Sequence, residues 1–142
     1  MKENIESIVV KTLLNLGISP NTKGYRYLRD GIIMCTTYDN KVLLSNKKIY
    51  TQLAAEYNTT EASIERAVRH AIKSGWHRHK EGFAELIFMN TLQSINDIPT
   101  NSVFIYTVSE WIRITNFDDE LKKHAFVNKK LSHLANKKVS QF

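Results

Sequence analysis

Thr60-Glu-Ala-Ser-Ile-Glu-Arg-Ala-Val-Arg-His-Ala-Ile-Lys-Ser-Gly-Trp76 is the stretch whose periodicity decides the fold. At about 100° per residue, Ile64, Ala67, Val68, Ala71, Ile72, Gly75 and Trp76 fall on one half of a helix. With Arg66 set at zero, Ala62, Arg69, His70, Lys73 and His77 lie within about 60° of it, and Glu65 stands at the edge of that stripe. One face is therefore apolar and the opposite face is a cationic ridge. The spacing predicts a helix over 61–77. Ahead of it, Ile49, Leu53, Ala54 and Tyr57 predict a short helix over 46–57, and Asn58-Thr59-Thr60 reads as a turn ending in a capping residue. A short amphipathic helix, a tight turn and a longer basic helix form the outline of a helix-turn-helix.

Working outward, the remaining apolar positions also repeat at helical spacing. Ile5, Ile8, Val9, Leu13 and Leu16 predict a helix over 4–16, stopped by Gly17. Tyr25, Leu28, Ile32 and Cys35 predict a second over 22–37. Leu86, Ile87 and Met89 suggest a helix over 81–92. Pro99 breaks the chain and Thr100 caps a helix over 101–113, with Phe104, Val108, Trp111 and Ile112 inward. A further charge-rich helix is expected over 118–135. The fold expected is all-α: a six-helix domain over 1–115 containing the helix-turn-helix, with a basic helical tail over 116–142.

Composition excludes several classes. The 142 residues are 42% hydrophobic, enough for a core, and fit one domain with a tail. No apolar run approaches the roughly 18–20 residues needed to span a bilayer, so no membrane association is expected. Met1-Lys2-Glu3-Asn4 makes a poor signal peptide. The single Cys35 permits no internal disulfide, and a cytoplasmic protein is expected. The net charge of +6 is unevenly spread. Residues 61–80 carry +3 within twenty positions, residues 81–116 carry −3, and residues 117–142 carry +3, largely as lysine pairs.

The ridge has the chemistry of a DNA major-groove reader. The groove admits an α-helix, Arg donates two hydrogen bonds to guanine O6 and N7, and Glu accepts from cytosine N4. Small Ala62 and Ser63 leave room for close approach to a duplex. The same pattern also describes a solvated face on a bundle helix. Phosphate contacts are expected from Lys47 and Lys48, Thr60 and Ser63, His70, Arg78, and Thr100, Asn101 and Ser102 at a helix start. Lys23 and Arg26 qualify too, or form surface ion pairs. His70 is equally readable as a plain surface histidine.

Three separated motifs, in order, resemble one family. Tyr57-Asn-Thr-Thr60, Ile64-Glu-Arg-Ala-Val-Arg-His-Ala-Ile72 and Trp76 resemble "YNTT…VERAIRHAI…W". Lys23-Gly-Tyr-Arg-Tyr-Leu-Arg29 resembles "KGYxYLR", and Pro99-Thr-Asn-Ser102 with Phe104-Ile105 resembles "PTNSxFI". These are features of the DNA-binding effector domain of the master sporulation response regulator, and the resemblance covers roughly 4–113. It implies a transcription factor that binds double-stranded DNA as paired copies, commonly head to tail. Glu65, Arg66 and Arg69 then face the bases, with Lys73 on the same ridge. It also implies contact with the sigma subunit of RNA polymerase in members that activate, and Phe88 and Leu92 match that apolar surface. No phospho-receiver precedes residue 4, and Met1 reads as a start, so aspartate phosphorylation is not expected as the switch within this chain. Lys73 stands where the family often has an acid or amide.

Other constellations carry less. His77-x-His79 lacks the partners of a metal site, Cys35 sits on an apolar stripe, and no elbow, Gly-rich loop or paired-carboxylate motif supports catalysis. No cofactor is expected. The sequence thus points to a sequence-specific regulator of sporulation type. The alternative is a module that pairs with or antagonises a full-length regulator or sigma factor through its apolar fifth and sixth helices.

Overall fold

The computed structural model describes residues 3–37, 46–88, 91–92 and 94–116. They form six α-helices: α1 (Ile5–Asn15), α2 (Lys23–Thr37), α3 (Asn46–Glu56), α4 (Glu61–Gly75), α5 (Phe83–Phe88) and α6 (Asn101–Asn116). No strand occurs among the described residues, so the expected all-α, six-helix class is the one found. The seventh helix expected over 118–135 lies outside them.

The helix ends follow from local chemistry. The Asn4 side chain accepts from the Ser7 amide at 2.8 Å and opens α1. At its far end Gly17 takes φ +89°, its amide donates to Leu14, and the Ile18 amide reaches back to Leu13 at 3.0 Å. That is a Schellman closure, which needs a residue free to adopt a left-handed backbone. Thr60 caps α4 and Thr100 caps α6, each hydroxyl accepting from the amide three residues on.

α2 runs through the middle and packs against α1, α3, α4 and α6. Its approach to α4 is a backbone contact. A Cβ on Gly24 would stand 2.1 Å from the Ala67 carbonyl oxygen, so only glycine lets the two helices meet there. The apolar half of α4 is sealed into the core, with Ile64, Val68, Ala71, Ile72 and Trp76 all at 0% exposure. Burying each large side chain of that set contributes about 1.5–3 kcal/mol. The Trp76 ring meets Phe88 edge-on at 5.2 Å, and its Nε1 donates to the Ile95 carbonyl at 2.7 Å. Cys35 is buried as expected, and burial pushes its thiol up to about 11.

Three helices differ from expectation by more than one residue at an end. α4 ends at Gly75 and continues as a 3-10 turn over Trp76–Arg78, because Gly75 backs directly onto Gly17. α5 starts at Phe83 rather than at 81, since Gly82 at φ +80° sits where the helix was expected to be under way, and it runs to Phe88. α6 continues to Asn116, its last turn held by Arg113, which donates to the Cys35 carbonyl at 2.7 Å.

Candidate nucleic-acid interface

The helix-turn-helix is α3, the turn over 57–60 and α4. Asn58 supplies the turn with φ +52°. Tyr57 fixes the turn to α2: its ring meets Tyr27 edge-on at 5.0 Å, and its hydroxyl donates to the Asp30 carboxylate. Burial, then the neighbouring Asp30 charge, pushes the Tyr57 hydroxyl up. Arg29 donates to Asp30 at 2.9 Å, and that bond raises the guanidinium's own proton affinity. Arg26 lies over the Tyr57 ring at 5.4 Å, a cation–π contact rather than an ion pair. Thr51 donates to the Glu61 carboxylate and joins α3 to the start of α4.

On this frame α4 turns its polar half outward. Glu65, Arg66, His70, Lys73 and His77 are exposed, while Arg69 is half-buried. An open groove of about 510 Å³ runs beside Glu65, Arg66 and Arg69, walled by Tyr50 of α3 and by residues 100–102 at the start of α6. Three of the four residues expected to read bases, Glu65, Arg66 and Arg69, and the Thr100-Asn101-Ser102 segment, far apart in sequence, thus share one concave surface; Lys73 is exposed further along α4. Tyr50 was missed. Its signal was its spacing to Leu53 and Ala54, which places it on the inward face of α3.

The expected contact residues divide by what their side chains already hold. Lys48 is exposed on α3, and the Lys47 side chain lies outside the described residues. Thr60 and Ser63 bond each other at 2.9 Å at the α4 N-terminus. Thr100 accepts from Val103 at 3.2 Å, and Ser102 is half-buried in the first turn of α6. Arg69 donates one of its N–H groups to the Pro99 carbonyl at 2.7 Å. Arg78 closes the end of α4, donating to the Ser74 carbonyl at 2.8 Å and the Gly17 carbonyl at 3.3 Å. Asn101 donates to the Tyr50 hydroxyl and to the Glu65 carbonyl. Arg78 and Asn101, both expected at phosphate, make these bonds within the fold.

The apolar partner surface needs correction. Phe88 is 1% exposed and packs between Trp76 and Phe104, so its side chain is core and cannot meet a partner. It shares a helix face with buried Ala84, four residues earlier. Leu92 is half-buried against the same core. On the fifth and sixth helices Phe83 meets Trp111 edge-on at 5.6 Å, and among the described residues the exposed large hydrophobic is Leu14 of α1. His79 tilts against Trp76 at 5.4 Å, and the described residues hold no group of three side chains placed for a metal ion. No described helix is long and apolar enough to cross a membrane.

The family model for the sporulation initiation factor Spo0A C terminal matches residues 9–112, from within α1 to within α6. The chain belongs to this family. Spo0A C-terminal domains are DNA-binding domains of a sporulation regulator, a regulatory family and not an enzymatic one. The family implies DNA binding, transcription regulation and sporulation.

Proposed function

We propose that this Spo0A-type domain recognises specific double-stranded DNA by laying α4 in the major groove. The observation that carries the reading is the division of α4 into a half whose Ile64, Val68, Ala71 and Ile72 are buried in the core and an exposed half bearing Glu65, Arg66, His70 and Lys73. Arg66 reads guanine and Glu65 reads cytosine at the N-terminal end of the helix, which usually points at base edges. Arg69 joins them with the four guanidinium N–H groups that the Pro99 bond leaves over. Lys73 extends the positive edge along α4, and His70 adds a hydrogen-bonding group beside it. Lys48, the Thr60–Ser63 corner and the N-terminus of α6 meet phosphates on either side, since helix N-termini present outward N–H groups to anions. Two copies occupy adjacent elements, as the family resemblance implies.

The test is selection of duplexes from a random pool by the full chain, with affinity measured over a salt series. Enrichment of a defined element is expected, with log K falling by about 0.9 per neutralised phosphate for each decade of salt. Sedimentation of the complex reports one or two copies. A pool that stays random, with no salt-dependent retention, would sink the proposal.

A further inference from the structure

Asn101 opens α6, and its amide hydrogens are spent inside the domain. An Asn side chain has two N–H donors. One goes to the Tyr50 hydroxyl at 3.2 Å and the other to the Glu65 backbone carbonyl at 3.1 Å. What remains is Oδ1, buried without a partner, and a carbonyl oxygen cannot donate to a phosphate. One turn further along α4, Arg69 donates to Pro99 at 2.7 Å. The start of α6 therefore grips α4 at two points one turn apart, and through Tyr50 it grips α3. These are the two helices of the helix-turn-helix. The buried face of α4 is held in the core by Ile64, Val68 and Trp76, and the grip at residues 99–101 ties the flank that carries Glu65 and Arg66, trimming the angle of that end.

We infer that Asn101 is a positioning residue for base recognition, its side chain holding α4 at the angle that brings Glu65 and Arg66 to base edges without itself touching DNA. The inference rests on the reading of α4 given above. A functional constellation tolerates only about 0.5 Å of misplacement. Lysine contacts to a continuous phosphate backbone are far more forgiving. Loss of the Asn101 bonds should therefore erode discrimination between sequences and leave general attraction to DNA in place.

The experiment uses the full chain and two duplexes of equal composition, one enriched from a random pool by the wild-type protein and one scrambled. Asn101→Leu keeps the volume and removes both donors. The affinity ratio between the duplexes should shrink roughly 10-fold, the scale of one base contact, with the salt slope unchanged. Equal weakening on both duplexes with the slope reduced by about 1 is the signature of a phosphate contact and overturns the inference. Tyr50→Phe removes one acceptor and keeps the ring. It should reduce the ratio by less, and should add nothing in the Asn101→Leu background. If Asn101→Leu does not fold, as judged by circular dichroism, an unchanged ratio in Tyr50→Phe overturns the inference. If the wild type discriminates and Asn101→Leu discriminates equally well, this inference alone fails. If the wild type does not discriminate at all, the reading of α4 fails with it.

Discussion

Glu65, Arg66 and Arg69 of α4 and residues 100–102 at the start of α6 border one groove, and both carry side chains of the kind that contact DNA. They differ in what is left over. On α4 the Arg66, His70 and Lys73 side chains project into solvent. At the start of α6 the Pro99 carbonyl accepts from Arg69, the Thr100 hydroxyl accepts from the Val103 amide, and the Asn101 side-chain amide donates to the Tyr50 hydroxyl and the Glu65 carbonyl. Residue type alone does not assign a role at such a surface. Hydrogen-bonding capacity that remains after the fold is satisfied does, because a donor already paired must break one bond to make another.

The largest effect expected lies beyond both regions, where α4 is anchored. Trp76→Ala should cost about 3–5 kcal/mol of stability, read by thermal or urea denaturation. A cost below about 1 kcal/mol would mean that the α6 grip, rather than the core, carries α4. Next come the two arginines. Arg66→Ala should lose about 1–3 kcal/mol of binding to a selected duplex while the melting temperature stays put. Arg69→Ala should lower the melting temperature as well, since it leaves the buried Pro99 carbonyl unpaired. Identical behaviour of the two variants would erase the distinction between free and committed side chains. Thr60→Ala should cost about 1 kcal/mol in denaturation by removing the α4 cap. The smallest change is expected from Lys48→Ala, a few-fold loss on selected and scrambled duplexes alike with the salt slope lower by about 1; a loss confined to the selected duplex would make Lys48 a base reader.

Much of this was legible in the sequence because helical periodicity is a local property. The stripe from Ile64 to Trp76 marked the buried half of α4, and Thr60 and Thr100 marked their helix starts, since a cap needs only the amide three residues on. What escaped depends on who meets whom. Phe88 matched a family position read as a contact surface, yet Trp76 and Phe104 enclose it. Arg78 looked free in a basic run, but the Gly17–Gly75 approach brings two carbonyls to its guanidinium. Asn101 looked like a helix-start phosphate ligand, and only the packing of α3, α4 and α6 reveals its two acceptors. Gly82 did signal the late start of α5, and the apolar run after it outweighed that signal.

The central claim, that the exposed half of α4 reads base edges in the major groove, is tested most directly by replacing guanines of the selected duplex one at a time with 7-deazaguanine. This removes the N7 acceptor from the major groove and leaves base pairing intact. The expected result is that at least one replacement weakens the wild-type protein roughly 10-fold, and that Arg66→Ala is indifferent to the same replacement. A wild-type protein insensitive to every replacement in a guanine-containing element, or an Arg66→Ala protein that keeps the full sensitivity, would contradict it.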